Sequence, residues 1–341
     1  MKNSFFMILT DIILAAAILF CIWYFNYCVP QGGIAAVVPE STVTAVDSAA
    51  ASSESLDKLV QTSSDGASQS WKEKFADKFS DTIISTDNCY KSPNLSIELT
   101  KGVMHMGRLD NSRNGSKKKY GSDIIYTLAD IYISDISQLK TAFAQDTFGV
   151  GYTEMLSDMS ARIGSVLAVN GDSYNNNRHK DNGIIIRNGV IYRSAPTNVE
   201  TCVLNRDGTM KIYAPDEINE QTLIDSGAYQ SWIFGPSLLD ENGKAKTHFL
   251  TWKYIRESHP RTAIGYYEPR HYCLLVVDGR IKNYSRGMFL DEMSQFFEDL
   301  GCKAAYNLDG GHCSFMLWGD KTINRPYKPE QDISDGIFIT E

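Results

Sequence analysis

The sequence lacks the short motifs that bind nucleotides and structural metals. It contains no G-x-G-x-x-G segment and no G-x-x-x-x-G-K-[ST] segment, so nothing supports nucleotide binding. It has no C-x-x-C pair, and its six histidines form no H-x-H or H-x-x-x-H cluster. A metal site therefore has little support. We expect neither a cofactor nor a metal ion.

Positive charge is also scarce. The chain has 33 Lys and Arg against 41 Asp and Glu, which gives a net charge of −8 at pH 7. Nucleic acids and anionic surfaces attract proteins through clusters of basic residues. This charge balance therefore disfavours nucleic acid as a partner.

Cysteine is present, but its number and spacing do not indicate a disulfide framework. Two of the seven cysteines lie in the apolar N-terminal segment, and the other five lie downstream. Because five is odd, at least one thiol would stay free even in an oxidising compartment. A Cys302–Cys313 bridge is one alternative. We favour buried free thiols, because Cys often serves as a small core residue.

The N-terminal segment from Phe5 to Val29 is almost wholly apolar and long enough to cross a bilayer as a helix. Trp23, Tyr24 and Tyr27 cluster at one end, as aromatic residues do at membrane interfaces. A cleaved signal peptide is the alternative interpretation. We predict an uncleaved single-pass anchor with a cytoplasmic N-terminus and an extracytoplasmic domain, because Lys2 is the only basic residue nearby.

The pattern of composition predicts four segments. Residues 1–30 form the membrane anchor, and residues 31–70 form a flexible linker rich in Ala, Ser and Thr. Residues 71–95 hold a short amphipathic helix and a connector, because apolar residues recur at i+4 spacing from Trp71. Residues 96–341 form one large domain.

Within the large domain, turn signals predict antiparallel hairpins. Asn188-Gly189 separates the apolar runs Ile184–Arg187 and Val190–Arg193, and both turn residues tolerate positive φ. Asp207-Gly208 separates two further runs in the same way. Such hairpins are typical of a largely antiparallel or mixed sheet and not of a doubly wound fold. We therefore predict an α+β fold with packed helices.

Three segments have apolar residues at helical spacing. They are Ile136–Phe143, Met155–Ile163 with Thr153 as its N-cap, and Leu290–Leu300 with Gly301 just after it. The last of these precedes an apolar strand.

That strand leads into the segment Asn307-Leu308-Asp309-Gly310-Gly311-His312-Cys313-Ser314. A carboxylate at a strand end beside two glycines lies where ligands commonly meet backbone amides. A tight turn in which Asp309 binds its own backbone is the alternative. Three further polar segments lie upstream: Asn170-Gly171-Asp172, Arg261-Thr262 and Asp278-Gly279.

These four segments, in this order and at this spacing, resemble the phosphodiester glycosidase family. The resemblance covers roughly Ile97 to Ile339. It departs from the family pattern at Asp172 and Tyr174, which replace a glycine and a phenylalanine, and at His312 and Cys313. The family hydrolyses sugar 1-phosphodiesters at the glycosidic carbon, and such a reaction needs a carboxylate and groups that hold the leaving phosphate.

The resemblance implies a set of catalytic carboxylates. Asp309 is the leading catalytic residue, and Asp278 or Asp172 is the second acid–base or orienting group. It also implies substrate-binding residues. Arg261, Ser314 and the amides of Gly310 and Gly311 would hold the phosphate, Asn170 and Tyr174 would contact sugar hydroxyls, and His312 would donate to phosphate or narrow the pocket. A salt bridge between Arg261 and Asp278 is the alternative for that arginine.

The expected function is that of a membrane-anchored extracytoplasmic hydrolase. Its substrate would be a carbohydrate phosphodiester, such as a cell-envelope polysaccharide, exopolysaccharide or glycoconjugate. One alternative is a non-catalytic module that binds a surface glycopolymer. Another is a metal-dependent phosphodiesterase, for which the scattered histidines offer poor support. The helix at residues 1–30 would make the membrane a further partner.

Overall fold

The structure is a computed structural model that describes residues 2–27, 29, 31–35, 71–108, 120–176, 179 and 181–341. The helices are α1 (Lys2–Tyr27), α2 (Trp71–Lys74), α3 (Leu156–Ile163), α4 (Glu220–Asp225), α5 (Lys253–Arg256) and α6 (Leu290–Asp299). The strands are β1 (Gln31–Ala35), β2 (Ile84–Ser85), β3 (Cys89–Lys91), β4 (Leu95–His105), β5 (Asp123–Ile133), β6 (Leu139–Phe143), β7 (Thr147–Val150), β8 (Leu167–Asn170), β9 (Ile185–Arg187), β10 (Val190–Arg193), β11 (Thr201–Asn205), β12 (Met210–Tyr213), β13 (Ala228–Trp232), β14 (Arg261–Glu268), β15 (His271–Val277), β16 (Ala304–Asn307), β17 (Met316–Trp318), β18 (Lys321–Thr322) and β19 (Asp335–Ile339).

Two antiparallel sheets form most of the domain. The larger sheet has the strand order β16-β14-β15-β5-β4-β3-β2, and the smaller has the order β18-β17-β8-β19-β6. A three-stranded sheet, β12-β11-β13, and the pairs β10-β9 and β1-β7 complete the sheets seen among the described residues. The predicted antiparallel character is therefore confirmed. The fold is mostly sheet with few helices, which is compatible with the α+β class.

The strands β14, β15 and β16 of the larger sheet are buried on both faces. Leu274 and Val276 of β15 pack into the core between the two sheets, whereas Leu275 and Val277 pack against α6. This division follows from the strand geometry, because successive side chains point to opposite faces. The outer face of the smaller sheet is covered by α3, whose Met159 packs with Phe338. The layers are thus helix, sheet, sheet and helix.

The hairpins predicted at Asn188-Gly189 and Asp207-Gly208 are confirmed. β9 pairs with β10 and β11 pairs with β12, both antiparallel. Asn188 and Gly189 both have positive φ, at 52° and 82°, as a tight hairpin turn requires. These two hairpins provide the backbone on which part of the site is built.

Two helix predictions are wrong in their extent. Ile136–Phe143 is a single 3₁₀ turn, Ile136–Gln138, followed by strand β6. Asp135 and Gln138 form a capping box around that turn, and the alternating burial of β6 then decides for strand. The helix that begins at Trp71 ends at Lys74. The helices α3 and α6 are present where they were predicted, within one residue at each end, but the N-cap of α3 is Met155 and not the predicted Thr153.

The cysteines whose placement is described are all free thiols. Cys302 packs against Cys273, with 3.9 Å between the two sulfurs, so the alternative Cys302–Cys313 bridge is not formed. This arrangement agrees with small, buried core thiols.

The N-terminal segment contains α1 and, after it, the short strand β1, which pairs antiparallel with β7. In the part of the chain that is described, no helix is both long enough and apolar enough to cross a membrane. The rest of the predicted linker, residues 36–70, lies outside the described residues.

Candidate active site

The ends of strands from the two large sheets meet at one place. Asn170, the last residue of β8, donates its side-chain amide to the main-chain carbonyl of Asp309, across 2.7 Å. The amide of Asp309 in turn donates to the carbonyl of Gly171, at 3.1 Å. The Asn170 side-chain oxygen accepts a hydrogen bond from Thr262 of β14, at 2.6 Å. One asparagine therefore joins both sheets beside Asp309.

A polar pocket of about 210 Å³ opens at this junction. It is smaller than the roughly 300–1,000 Å³ of sites for drug-sized ligands, so it suits a ligand such as one sugar ring. None of its described lining residues is a lysine or an arginine. The lining residues are Thr153, Asn170, Gly171, Ser173, Asn175, Asp309, Cys313, Gln331, Asp332, Ile333, Ser334 and Asp335.

Asp309 is the carboxylate of this pocket that is best placed for chemistry. It is partly exposed, and its oxygen accepts the amide of Gly310 at 2.8 Å. Burial raises the pKa of Asp309 to about 6, although donors from Gly310, Cys313 and Ser173 oppose that rise. The group therefore changes its charge close to neutral pH, as groups at functional sites often do.

The Cys313 thiol lies beside Asp309 and is held by the side chain of Gln331, whose amide is 2.8 Å from the sulfur. Burial and the negative charge of Asp309 raise the pKa of Cys313 well above its ordinary value. Because the thiolate is the nucleophilic form, this Cys is a hydrogen-bond donor to Asp309 and a poor nucleophile at neutral pH.

Asp335 is a second pocket carboxylate that the sequence analysis did not assign to the site. One of its oxygens accepts the amides of Asp172 and Ser173, at 2.9 and 3.1 Å. The other accepts the guanidinium of Arg187, at 2.6 Å. Gly171 lies so close that a Cβ there would be 2.9 Å from the Asp335 carboxyl carbon. Asp335 thus fixes the loop that follows β8.

Asp172, which was predicted as a catalytic candidate, lies behind the pocket. It is fully buried, and its carboxylate accepts the amides of Ile233 and Phe234 at 2.7–2.9 Å. Arg187 also lies 3.7 Å away, and burial raises the pKa of Asp172 to about 7. Its contacts are those of a residue that positions backbone, because no substrate atom can reach a side chain enclosed in this way.

Asp278, the other predicted carboxylate, is also enclosed. It is 4% exposed and accepts hydrogen bonds from Tyr284, Asn324 and the amide of Arg325, at 2.9–3.1 Å. Burial raises the pKa of Asp278, and these donors oppose the rise. The Asn324 amide also donates to the carbonyl of Ser314, at 3.1 Å. Asp278 is thus linked to the Asp309 segment through Asn324.

The two glycine amides that were expected to hold phosphate have partners inside the protein. The amide of Gly310 donates to Asp309, and that of Gly311 donates to the carbonyl of Pro260, at 2.9 Å. A Cβ on Gly310 would lie 2.8 Å from the Pro260 carbonyl oxygen, so only glycine fits at this position without a shift of the backbone. The buried hydroxyl of Ser314 has no hydrogen-bond partner among the described residues.

Tyr174 was expected to contact a sugar, but it lies in the core. It is 1% exposed, and its ring packs 5.1 Å from that of Phe143 and 5.0 Å from that of Phe148. Its hydroxyl lies 3.1 Å from the amide of Gly149. Burial raises the pKa of Tyr174, so the phenol is neutral.

Arg261 was predicted to hold phosphate, but its side chain is buried inside the protein. It is 3% exposed, and its guanidinium donates to the carbonyls of Met288, Ile255 and Glu257, at 2.5–3.0 Å. Burial, with Arg280 nearby, lowers the pKa of Arg261 to about 9. These contacts fix the loop around α5. The alternative salt bridge to Asp278 is not formed.

Arg280 is a cation near the Asp309 segment that the sequence analysis did not single out. Its guanidinium lies 3.3–3.6 Å from the position of a Cβ on Gly311, and the residue is partly exposed. It donates to the hydroxyls of Tyr327 and Tyr254, at 2.7 and 3.2 Å. His312 joins this group, because its ring lies 5.7 Å from that of Tyr327 and its Nε2 is 2.7 Å from the carbonyl of Pro329.

Sequence signals for the missed residues were weak but present. Asp335 begins a buried strand and is followed by Gly336, the same pairing of acid and glycine as in Asp309-Gly310. Arg187 ends a wholly buried strand immediately before the hairpin turn, where an arginine needs a buried partner. Arg280 has a positive φ of 59°, which a sequence does not reveal.

At the strand ends of the two large sheets lies a polar pocket lined by carboxylates, which is the candidate active site. A family model described as phosphodiester glycosidase matches residues 164–340, slightly more than half of the chain. The chain therefore belongs to the phosphodiester glycosidase family. The predicted family is thus confirmed.

One curated relative is similar to part of the chain. The SPbeta prophage-derived uncharacterized protein YomE of Bacillus subtilis (strain 168) is 34% identical over 194 residues. That match covers 56% of this chain but spans only 29% of the length of YomE.

Two solved structures show the same fold. The catalytic domain of zebrafish N-acetylglucosamine-1-phosphodiester alpha-N-acetylglucosaminidase, auto-inhibited by its pro-peptide, superposes with a TM-score of 0.52 at 17% identity. It covers 74% of this chain and 89% of that domain. A hypothetical protein from Synechocystis gives a TM-score of 0.50 at 14% identity and covers 72% and 62%. At these identities the similarity concerns the fold alone.

Proposed function

We propose that this protein hydrolyses the glycosidic bond of a sugar 1-phosphodiester and releases a free sugar and a phosphomonoester. The observation that carries the proposal is the position of Asp309. It lies at a strand end, in a sugar-sized pocket, inside the segment that matches the phosphodiester glycosidase family. Because Asp309 lines the pocket, its carboxylate can approach an anomeric carbon or a water molecule beside it.

In this proposal Asp309 acts in its ionised form, as nucleophile or as general base. The Cys313 thiol and the amide of Gly310 orient it by donating to its oxygens. Asp335 has both oxygens committed to the neighbouring loop and to Arg187. It therefore positions the loop that follows β8 and is not a second catalytic acid. A phosphate leaves readily, so strong help from a general acid is not required.

The charge distribution suggests how the substrate lies. Three carboxylates, Asp309, Asp332 and Asp335, line the pocket without a described lysine or arginine, which suits sugar hydroxyls and repels phosphate. Arg280 lies on the Gly311 side of the same segment. We therefore propose that the sugar enters the pocket and that Arg280 holds the phosphate, since its planar fork can donate two charge-assisted hydrogen bonds.

We further propose that the substrate belongs to a cell-envelope polysaccharide or glycoconjugate and that α1 anchors the chain in the membrane, with the domain outside the cytoplasm. Large apolar side chains of α1 support this, because Ile12, Leu14 and Leu19 are 60–67% exposed. Fractionation of cells and protease treatment of intact cells test this part of the proposal. Recovery of the chain in the soluble cytoplasmic fraction would contradict it.

The activity is tested with the full-length chain and a small panel of sugar 1-phosphodiesters, in the presence and absence of a chelator. The comparison includes Asp309→Asn and, as a matched control, Asp158→Asn on the exposed face of α3. Free reducing sugar from the wild type and from Asp158→Asn, but not from Asp309→Asn, is the expected result. The expected loss is about 10³-fold or more.

Other products would point elsewhere. A sugar 1-phosphate that disappears with the chelator would indicate a metal-dependent phosphodiesterase and contradict the proposal. Binding of the diester without any released sugar would indicate a glycopolymer-binding module. Full turnover by Asp309→Asn would refute the role of that carboxylate.

A further inference from the structure

A second depression lies on the domain, apart from the pocket of Asp309. It has a volume of about 630 Å³ and is formed where two hairpins meet, β2–β3 and β17–β18. We call it the hairpin groove. Its lining residues are Ser85, Thr86, Asp87, Tyr90, Val166, Trp318, Gly319, Asp320 and Lys321.

The hairpin groove shares no residue with the Asp309 pocket. In the register of the smaller sheet, Trp318 of β17 lies opposite Leu167, at the start of β8. Asn170, which lines the pocket, ends the same strand three residues further on. The two sites are therefore separated by about 10 Å along β8. The hairpin groove and the pocket thus lie near opposite ends of the same buried strand.

Two aromatic rings form the fixed part of the hairpin groove. Trp318 donates its indole N–H to the carbonyl of Thr86, at 3.0 Å, which joins the two hairpins and fixes the ring. Both Trp318 and Tyr90 pack against the core between the two sheets and remain partly exposed. An anchored aromatic ring with one accessible side offers an apolar surface without the entropy cost of ordering a free side chain.

Polar groups surround these rings. Asp87, Asp320 and Lys321 are exposed, and none forms an ion pair with another described residue. Because the two carboxylates outnumber the single ammonium group, the hairpin groove does not favour the binding of an anion. These groups can accept and donate hydrogen bonds to hydroxyl groups. Aromatic rings beside such groups match the two kinds of surface of a sugar ring, apolar C–H faces and a polar edge.

We propose that the hairpin groove is a second carbohydrate site, which binds an uncharged sugar unit of a glycan chain while another part of that chain is in the Asp309 pocket. The choice of a glycan as ligand rests on the proposed function of the Asp309 site. The groove holds the chain and performs no chemistry. It would raise the affinity for long substrates over short ones, because the second contact is intramolecular once the first has formed.

The test is a binding measurement that does not depend on turnover. The full-length chain is titrated by calorimetry with neutral hexasaccharides of glucose and of N-acetylglucosamine, and then with inorganic phosphate as a competitor. The variants are Trp318→Ala and Trp318→Phe. Trp71→Ala is the matched control, because it removes another partly exposed tryptophan that lines neither site.

At least one hexasaccharide should bind the wild type and Trp71→Ala equally, and Trp318→Ala should bind it about tenfold more weakly, as expected for the loss of one ring contact. Trp318→Phe should retain most of the affinity, and inorganic phosphate should not compete. Equal binding by Trp318→Ala, displacement by phosphate, or no binding of either hexasaccharide would each overturn the proposal.

If Trp318→Ala does not fold, the double substitution of Asp87 and Asp320 by Ala replaces it, and a loss of at least severalfold is expected. Unchanged affinity in that double variant would overturn the proposal equally. A protein that binds hexasaccharides through Trp318 but releases no sugar from any diester would refute the proposed catalytic function and leave the hairpin groove in place.

Discussion

The side-chain amide of Asn170 donates to the main-chain carbonyl of Asp309 across 2.7 Å. Asn170 ends β8, and Asp309 follows the end of β16 by two residues, so their hydrogen bond links the ends of strands from different sheets at the pocket. Because this hydrogen bond fixes the backbone of Asp309, it helps to hold the Asp309 carboxylate in one orientation in the pocket. Such preorganisation is what catalysis by a positioned group requires.

Asn170→Ala should therefore impair the reaction although Asn170 does no chemistry. We expect kcat to fall about 10–100-fold, because the Asp309 backbone loses its lateral support. Thr262→Val removes the other hydrogen bond of Asn170 and leaves the contact to Asp309. It should have a smaller effect, and steady-state kinetics on a sugar 1-phosphodiester compare the two. An equal loss in both variants would contradict the assignment.

The rate should depend on the protonation of Asp309. Burial raises the pKa of Asp309 to about 6, and the proposed mechanism requires the ionised carboxylate. kcat/KM should then fall about tenfold for each pH unit below 6 and level off above it. A pH–rate profile of the wild type measures this. A rate that rises as pH falls through 6 would show that the protonated acid is the active form.

The same pKa predicts how stability changes with pH. The folded state holds the Asp309 proton more tightly than the unfolded state, whose ordinary pKa is 3.8. Between about pH 4 and pH 6 the folded state binds more protons, so this group lowers stability as pH rises. Asp309→Asn cannot ionise. Its Tm should exceed that of the wild type by about 2–6 °C at pH 7, and the difference should disappear below pH 4.

Arg187 should matter for stability more than any exposed arginine. It is 2% exposed and lies between the buried carboxylates of Asp335 and Asp172. Arg187→Met would leave both without their cation and cost about 3–5 kcal/mol. Arg162→Met is the control, because Arg162 makes ion pairs at the surface that are worth less than about 1 kcal/mol. Urea unfolding measures both, and similar losses would contradict the prediction.

Arg280 and Arg261 should give different phenotypes. Arg280→Gln should raise KM for a sugar 1-phosphodiester about tenfold, with little change in Tm, because it removes a charged donor to phosphate. Arg261→Gln should lower Tm, because three backbone carbonyls lose their donor. Kinetics and thermal unfolding of both variants separate the two roles. A larger increase in KM for Arg261→Gln than for Arg280→Gln would indicate that Arg261, and not Arg280, binds the phosphate.

Local patterns predicted the hairpins, the helices α3 and α6, and the antiparallel sheets. The turn at Asn188-Gly189 follows from the φ angles that these two residues tolerate, which is a property of the residues themselves. The strand β6 was not predicted, because Ile136–Phe143 has apolar residues at a spacing that fits a helix. The capping box at Asp135 limits the helical part to one turn, and pairing with β19 then decides for strand.

The candidate site was predictable only in part, because the burial of its side chains depends on residues far away in the chain. The sequence places Asp309, Asn170, Asp278 and Asp172 next to buried strands, but it does not show which carboxylate reaches solvent. Asp172 is enclosed by the amides of Ile233 and Phe234, which are about 60 residues away in the chain. The Asn324 side chain and the Arg325 amide, which enclose Asp278, are almost as distant from it. Burial of that kind depends on long-range packing, which no local pattern contains.

The sequence by itself determined the hairpin-rich, largely antiparallel character, the family and the segment around Asp309, because strand composition, turn chemistry and the order of the four polar segments can be read from the chain. Only the structure showed that the strands form two packed sheets. Only the tertiary structure decided that Asp335 and Arg187 support the pocket, that Arg261 and Tyr174 face inward, and that Arg280 lies beside Gly311. These roles depend on which strand ends meet, and that meeting is fixed by the packing of one sheet on the other.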